Sequence, residues 1–177
     1  MKVIPSSPLG RIVLAAVAII ALGIGWYLAS PLFIDREVNE DFPVAQGAVM
    51  DETMPASTSP ELLASGSFVD ADAVHSGKGS AAIYRLDDGR LVLRFEDFEV
   101  TNGPDLYVWM SSAAAGADSD AIKASRTVEL ERLKGNIGSQ NYLLPPDIDL
   151  ADLNSVVIWC RRFGVLFSQA ALDPVLR

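Results

Sequence analysis

A long uncharged segment near the N-terminus constrains this chain more than any other feature of its sequence. The run from Ile12 to Ile34 contains 23 residues and no charged side chain. As a helix it would extend about 34 Å at ~1.5 Å per residue, and the hydrocarbon core of a bilayer is about 30 Å thick. The sequence therefore predicts a transmembrane anchor over residues 12–34, preceded by a short tail over residues 1–11.

The charges beside this segment predict its orientation. Lys2 and Arg11 precede the run, whereas acidic residues dominate the stretch that follows it. Positive charges stay on the cytoplasmic side, and carboxylates contribute little to that preference. We expect a single-pass protein of the cell membrane, with a cytoplasmic N-terminus and an extracytoplasmic C-terminal domain. A cleaved signal peptide is the alternative, although the apolar part of such peptides is only about 7–15 residues long.

Two regions of different composition follow the predicted anchor. Residues 35–61 mix Gly, Pro, Ser, Thr and acidic residues without an apolar period. This composition predicts a flexible tether, with a short docked helix or strand as the alternative. Residues 62–177 contain short alternating segments divided by turn signals, a pattern typical of an antiparallel sandwich or barrel. We predict an all-β fold, an antiparallel β-sandwich preceded by one transmembrane helix.

The strongest turn signal is Asp88-Gly89, a dipeptide that favours a two-residue hairpin loop. Folding the flanking strands about this loop pairs Tyr84 with Leu93 and places both on the apolar face. The opposite face is mostly charged, which is typical of a sheet that is buried on one side. The later segment "SVVIWCRRFGVLF" is apolar on both faces. It predicts a central strand, or two strands divided near Gly164.

Composition excludes several kinds of functional site. The chain has a net charge of −9, so it lacks the basic surface that nucleic acids require. Its one cysteine cannot form an internal disulfide. One cysteine and one histidine are too few for a structural zinc site, an iron–sulfur cluster or a blue-copper site. The chain also has no phosphate-binding loop and no dinucleotide-binding fingerprint.

Cys160 is the best candidate for a catalytic or redox-active group. It is followed by Arg161 and Arg162. Alternation along an extended strand would put Arg162 on the face of the thiol and Arg161 on the opposite face. A nearby guanidinium favours the thiolate, which is the better nucleophile and ligand. The alternative is a buried cysteine that packs as a small apolar side chain.

A non-covalent haem is the cofactor that the ligand count still permits, and the absence of any cofactor is the alternative. His75 could ligate the iron together with Met110 or Cys160, because His and Met are known haem ligands. His75 is equally explained by hydrogen bonds within a loop, and Met110 by core packing on an alternating strand. Aromatic residues near these positions, Tyr107, Trp109 and Trp159, could assist electron transfer or pack in the core.

Four segments in one order carry a family resemblance: "SGSFVDADAVHSGKGSAAIY", "LRFEDFEVTNGPDLYVW", "LKGNIGSQNY" and "VVIWCRRFGVLFSQAAL". Over about residues 64–172 the chain resembles the DM-thirteen domain family, whose name includes electron transfer. The resemblance implies a β-sandwich related to the DOMON-like domains. It also implies a redox role at the cell surface, with the family's cysteine as a bare thiol or a cofactor ligand. The matching position in this chain is Cys160.

Two functions of different kinds follow from these observations. The first is redox chemistry or electron transfer through Cys160, with an unknown protein or redox partner. The second is a non-catalytic binding module at the cell surface that holds a glycan, a lipid or a protein. Enzymatic activity is left open, because a hydrolase built on Cys160 and His75 would need the two side chains within hydrogen-bond reach.

Overall fold

The computed structural model describes residues 7–29, 34–43 and 60–175. The chain divides into two compact units, Met1–Ile34 and Asp35–Arg177. In the first unit, helix α1 spans Pro8–Ala29. Its part Pro8–Trp26 has a mean hydropathy of 2.1 and is long and apolar enough to cross a membrane. A signal sequence can have the same length and apolar composition.

The start of α1 follows from its first residues. The hydroxyl of Ser7 accepts a hydrogen bond from the backbone N–H of Gly10 at 3.1 Å, as a serine N-cap does. Pro8 occupies the first helical position, where its missing N–H and its fixed φ cost nothing. The apolar run that follows has no charged residue after Arg11.

The second unit is built almost entirely of antiparallel strands. Its described residues form strands β1 to β9 and helix α2: Glu61–Asp70, Gly77–Arg85, Leu91–Val100, Leu106–Ser111, Thr127–Arg132, Ile137–Leu143, Ser155–Cys160, Val165–Ala171 and Asp173–Pro174, with α2 at Ser119–Ala124. The strand order is β5-β4-β7-β8-β1-β2-β3-β6, and β9 pairs with β1. The sheet curls into a half-barrel, so the predicted antiparallel all-β domain is confirmed at that level.

The main core lies on the inner face of the curled sheet. Strand β4 shows the predicted alternation, because Val108 and Met110 are fully buried whereas Tyr107 and Trp109 lie half-buried on the outer face. Strands β2, β3 and β6 contribute to this core from one half of the sheet, and β4, β7 and β8 contribute from the other half. The members of this core include Ile83, Leu93, Phe95, Phe98, Met110, Tyr142, Val156, Ile158 and Phe167.

Strand β7 is buried on both faces, as the apolar run around Cys160 predicts. It lies between β4 and β8, and α2 covers part of its outer face. Ile122 of α2 is fully buried there against Val157, Trp159 and Leu166. The apolar run forms two strands, β7 and β8, which a turn ending at Gly164 divides.

The Asp88-Gly89 hairpin forms, but its loop is one residue longer than the sequence predicts. Leu86 and Arg90 close the loop, because the N–H of Leu86 donates to the carbonyl of Arg90 at 2.9 Å. The N–H of Gly89 in turn donates to the carbonyl of Leu86 at 2.9 Å. Gly89 has φ +83°, the left-handed conformation that three-residue hairpin loops require.

The longer loop shifts the strand register by one residue. Ile83 pairs with Leu93, and Tyr84 pairs with Val92. A shift of one residue turns every side chain of a strand to the other face of the sheet. Ile83 therefore lies in the core, while Tyr84 contacts Phe42 with ring centroids 4.9 Å apart. The predicted pairing of Tyr84 with Leu93 is wrong for this reason.

Residues 35–43, which we call the N-terminal strap, lie along strand β6. Glu37 pairs with Ile137 in parallel, and the N–H groups of Val38 and Glu40 donate to carbonyls of β6. The strap is part of the predicted tether over residues 35–61. Residues 44–59 of that segment lie outside the described residues.

Candidate functional site

Cys160 ends strand β7 on the inner face of the sheet. It pairs with Leu106 of β4 and Val165 of β8, both apolar. Its side chain is fully buried and belongs to the main core. Its carbonyl accepts the N–H of Gly164 at 2.8 Å, which closes the turn to β8. The thiol therefore packs as a small apolar side chain, out of contact with solvent.

The two arginines that follow Cys160 do not share its surroundings. Arg161 lies on the outer face, as alternation predicts, where its Nη1 is 3.3 Å from Oε1 of Glu129. Its guanidinium lies 4.5 Å from the ring centre of Tyr107. Arg162 is exposed in the turn, because the strand ends before it. The prediction that Arg162 continues the face of Cys160 is wrong for that reason.

His75 lies in the loop between β1 and β2. Its Nδ1 is 2.7 Å from Oδ2 of Asp72, and its ring centroid is 4.2 Å from that of Phe167. Oδ1 of Asp72 also accepts the N–H groups of Val74 and His75, each at 2.8 Å. The hydrogen bond from His75, together with these two N–H groups, lowers the pKa of Asp72 to about 2. These contacts give His75 a role in closing its loop.

Met110 and Cys160 do not form a ligand pair. Met110 pairs with Val156 whereas Cys160 pairs with Leu106, so four residue pairs separate them on adjacent strands. At ~3.3 Å per residue this is roughly 13 Å along the sheet, with both side chains on its inner face. Two side chains that point the same way from one sheet cannot flank an iron from opposite sides. Met110 and Cys160 therefore cannot both ligate one haem, whereas the sequence predicted His75 together with either of them.

The described part of the chain offers no alternative metal cluster. No group of three or more His, Cys, Asp or Glu side chains that could hold a metal ion occurs in residues 7–29, 34–43 and 60–175. The contacts of His75 are with Asp72 and Phe167. Each predicted site residue therefore has a packing or loop-closing role in the structure. The predicted ligation of a haem by His75 with Met110 or Cys160 stays a prediction.

An aromatic cluster lies on the outer face of the sheet, and one of its residues, Trp159, directly precedes Cys160. The sequence predicted its aromatic residues but not the carboxylate beside them. Tyr107, Trp109 and Trp159, which we call the outer aromatic cluster, come from the neighbouring strands β4 and β7. Trp109 and Trp159 are stacked, with ring centroids 5.0 Å apart and an interplanar angle of 26°. Trp159 is 3% exposed, whereas Trp109 is half-buried. The pair thus extends from the residue beside Cys160 to the protein surface.

A carboxylate and two cations border this cluster. Nε1 of Trp109 donates to Oε2 of Glu129 on β5 at 3.1 Å, and the same carboxylate binds Arg161. Nζ of Lys123 lies 5.9 Å from the ring centre of Trp159. The alternation of "DLYVWM" places the aromatic residues on the outer face. Sequence reasoning missed Glu129, because an irregularity in the β4–β5 register decides which carboxylate lies opposite Trp109.

A second polar network lies at the opposite end of the sheet, beneath the N-terminal strap. Nζ of Lys134 contacts both carboxylate oxygens of Glu40, at 3.0 and 3.1 Å, and the N–H of Asn141 donates to the same carboxylate at 2.7 Å. Arg94, which is 7% exposed, donates to the carbonyl of Glu40 at 2.6 Å. Burial raises the pKa of Glu40, but these hydrogen bonds and the charge of Lys134 outweigh it and leave that pKa lowered.

The segment "LKGNIGSQNY" shapes the surface that receives the strap. A Cβ atom on Gly135 would clash with the carbonyl of Arg36, and one on Gly138 would clash with the carbonyl of Val38. Gly138 also has φ +104°, which L side chains rarely adopt. The glycines of this segment therefore allow the close approach of the strap to β6.

The polar residues of the same segment satisfy buried backbone groups. The fully buried Gln140 donates to the carbonyl of Gly135 at 2.8 Å and accepts its N–H at 3.2 Å. The hydroxyl of Tyr142 donates to Oε1 of Gln140 at 2.6 Å and accepts the N–H of Lys134 at 3.2 Å. Burial of this hydroxyl raises the pKa of Tyr142.

Comparison with known proteins assigns the second unit to a family. A family model described as Electron transfer DM13 matches residues 67–172, which is more than half of the chain. No curated protein and no solved structure gives a match. The matched range contains Cys160, the outer aromatic cluster and the "LKGNIGSQNY" segment, and it begins after α1 and the strap. The chain belongs to the electron-transfer DM13 family.

Proposed function

We propose that this protein is a membrane-anchored electron-transfer protein whose extracytoplasmic domain uses Cys160 as its redox-active or ligating group. The observation that carries the proposal is the family match over residues 67–172, which includes Cys160. The apolar helix Pro8–Ala29 supports the anchor. The electron donor and acceptor would be other proteins or redox molecules at the membrane surface.

The burial of Cys160 narrows the kind of redox chemistry that it can support. Thiol–disulfide exchange requires direct attack by an accessible thiolate on a sulfur atom. Cys160 is fully buried between Leu106 and Val165, so this exchange would require local opening of the sheet. Electron transfer has no such requirement, because the electron can pass through packed side chains.

Voltammetry of the natively purified full-length protein tests the role of Cys160. We expect a redox wave that is lost in both Cys160→Ser and Cys160→Ala. Met110→Leu is the matched control, because it removes the other sulfur of the same core and should retain the wave. A wave that persists in both cysteine variants, or a native protein with no wave and no visible absorbance, would overturn the proposal.

The arrangement in the membrane is part of the proposal. We place residues 1–11 in the cytoplasm, residues 12–34 in the bilayer, and both a tether at 35–61 and the domain at 62–177 outside. The first part of the tether, residues 35–43, packs on β6. Lys2 and Arg11 on the N-terminal side of the helix support this orientation. Protease added to the outside of intact cells should digest the domain, whereas inside-out vesicles should protect it. The reverse pattern would overturn the orientation.

We infer that the two halves of the curled sheet are the layers of a DOMON-like β-sandwich. The support is a shared core to which β2, β3 and β6 contribute from one half and β4, β7 and β8 from the other. An experimental structure of the domain in which the halves do not stack face to face would contradict this description.

A cell-surface binding module is the second candidate function, and a specific cavity favours it. A cavity of about 550 Å³ lies beside β1 and β8, lined by serine, glycine and alanine residues and by Val69, Gln169 and Asp173. Gln169 is 2% exposed, and its Oε1 has no hydrogen-bond partner among the described residues. A small ligand that bears hydroxyl or amine donors would suit this lining.

Ligand screening separates this candidate from electron transfer. Thermal-shift measurements with hydroxyl-rich compounds, from glycerol to oligosaccharides, should show stabilisation that Gln169→Leu abolishes and Cys160→Ala leaves unchanged. The absence of any stabilisation over this series would remove the cavity as support for a binding module.

A further inference from the structure

We propose that Trp109 and Glu129 form a proton-coupled electron relay on the outer face of the sheet. This inference rests on the electron-transfer function proposed above and adds a second redox-active group to it. The starting observation is the 3.1 Å hydrogen bond from Nε1 of Trp109 to Oε2 of Glu129. The indole nitrogen is a donor only, so this bond fixes the carboxylate as the acceptor of its proton.

The hydrogen bond matters because oxidation changes the acidity of an indole. An indole that has lost one electron is far more acidic at its ring nitrogen than the neutral indole. A carboxylate already hydrogen-bonded to that nitrogen can take the proton without any rearrangement. Trp109 and Glu129 are direct cross-strand neighbours on β4 and β5, so the sheet itself holds the donor and the acceptor in place.

The surroundings of the pair support the same role. Arg161 binds the other oxygen of Glu129 at 3.3 Å and so orients the carboxylate. Trp159 stacks on Trp109 with ring centroids 5.0 Å apart, which lets a positive hole spread over two rings. Trp159 precedes Cys160 in sequence, so the stack also connects the surface with the core.

Trp109 gives one electron to a strong one-electron oxidant. This oxidant is a high-valent transition-metal centre of a partner protein, and its oxidation state falls by one. The Nε1–H bond breaks, and an O–H bond forms on Oε2 of Glu129. A neutral indole radical and a protonated carboxyl group result. An electron from a reduced metal centre of a donor protein, together with the return of the proton, restores both groups.

Laser-flash oxidation of the full-length protein in detergent micelles tests this relay. The chain contains three tryptophans, so Trp26→Phe provides a background in which Trp109 and Trp159 alone remain. Photogenerated tris(bipyridine)ruthenium(III) is the oxidant. We expect the transient absorption and electron paramagnetic resonance signals of a neutral tryptophan radical, with a kinetic isotope effect in deuterated water.

Two substitutions in that background identify the groups. Trp109→Phe should lose the neutral radical signal. Glu129→Gln should give a short-lived protonated radical cation and lose the isotope effect, because the amide cannot take the proton. Glu131→Gln is the matched control on the same strand and should behave like the background protein. Circular dichroism establishes that each variant is folded.

The outcomes separate this inference from the function on which it rests. A neutral radical that forms equally fast in Glu129→Gln, or one that survives Trp109→Phe and disappears in Trp159→Phe, would overturn the relay. Loss of the voltammetric wave in Cys160 variants together with either result would leave the function of Cys160 standing without the relay. A radical with the predicted behaviour in a protein whose wave is insensitive to Cys160 would support the relay alone.

Discussion

The two flanks of the sheet are stabilised by different kinds of interaction. On one flank, around β7, Cys160 and its neighbours are apolar on both faces and exclude water. On the other flank, beneath the N-terminal strap, Lys134, Glu40 and Arg94 form a network of charged hydrogen bonds. The first flank depends on burial, whereas the second depends on a segment that lies outside the family match. The difference indicates that removing the strap should loosen β6 far more than β7.

The largest effect should come from blocking the strap. We expect Gly138→Ala to destabilise the domain by about 3 kcal/mol, because the new Cβ is strained at positive φ and clashes with Val38. Gly89→Ala is the matched control, with φ +83° and no atom within 4 Å of the added Cβ. It should cost only about 1–2 kcal/mol. Urea unfolding measures both, and equal losses would show that the strap contributes nothing.

The next effect sharpens the description of the apolar flank. Cys160→Ser should destabilise the domain by about 2 kcal/mol, because its hydroxyl would lack a partner in the apolar core. Cys160→Ala should cost less, about 1 kcal/mol, since it leaves only a small cavity. Urea unfolding again measures the difference. A serine variant as stable as the alanine variant would mean that the thiol contacts water or a polar group.

A smaller, pH-dependent effect should appear at the strap. The pKa of Glu40 is lowered in the folded protein, so its contribution is present above its ordinary value of 4.5 and is lost as the pH falls through the lowered pKa. We expect the amides of β6 that bind the strap to exchange faster with solvent when the pH is below the lowered pKa of Glu40. Glu40→Gln should remove the pH dependence and cost about 1 kcal/mol at neutral pH.

Hydrogen exchange at several pH values measures this effect. Glu131→Gln, an exposed carboxylate on β5, is the control and should keep the pH dependence of the strap. Amides of β7 should stay protected throughout, since that strand is buried on both faces. Simultaneous loss of protection on both flanks would show that the strap is not a separate unit of stability.

The smallest effects should distinguish the two arginines after Cys160. Arg162→Ala should change stability by less than about 0.5 kcal/mol, because the side chain is exposed in a turn. Arg161→Ala should cost about 0.5–1 kcal/mol, since it loses Glu129 and the ring of Tyr107. Thermal unfolding of both variants measures the difference. A larger loss for Arg162 would show that its guanidinium has a contact near the thiol.

Much of this fold could be predicted from periodicity. The uncharged run predicts α1, and the alternation of "LYVWM" predicts which side chains of β4 face the core. The sequence predicted the position of the hairpin at Asp88-Gly89 correctly and its strand register wrongly. The dipeptide suits both a two-residue loop and the last two positions of a three-residue loop. Ile83 and Leu93 decide between them, because their pairing buries both in the core.

The candidate site was less accessible to prediction. The sequence singled out Cys160, His75 and Met110 by their chemistry, which is local information. The separation of Met110 from Cys160 depends on strand register, because Met110 lies four residue pairs from the pair that contains Cys160. The link between Trp109 and Glu129 depends on a register irregularity between β4 and β5. Neither the separation of Met110 from Cys160 nor the contact of Trp109 with Glu129 can be predicted from the sequence.

The sequence by itself determined an apolar N-terminal helix, an antiparallel β domain and the family of that domain, because these follow from local periodicity and from motifs in a fixed order. The tertiary structure alone decided that Cys160 is enclosed in the core, that two tryptophans stack beside it, and that residues 35–43 pack on β6. The physical reason is that burial, stacking and hydrogen bonding between strands depend on which distant residues meet. Local sequence specifies each strand, but packing selects its partners.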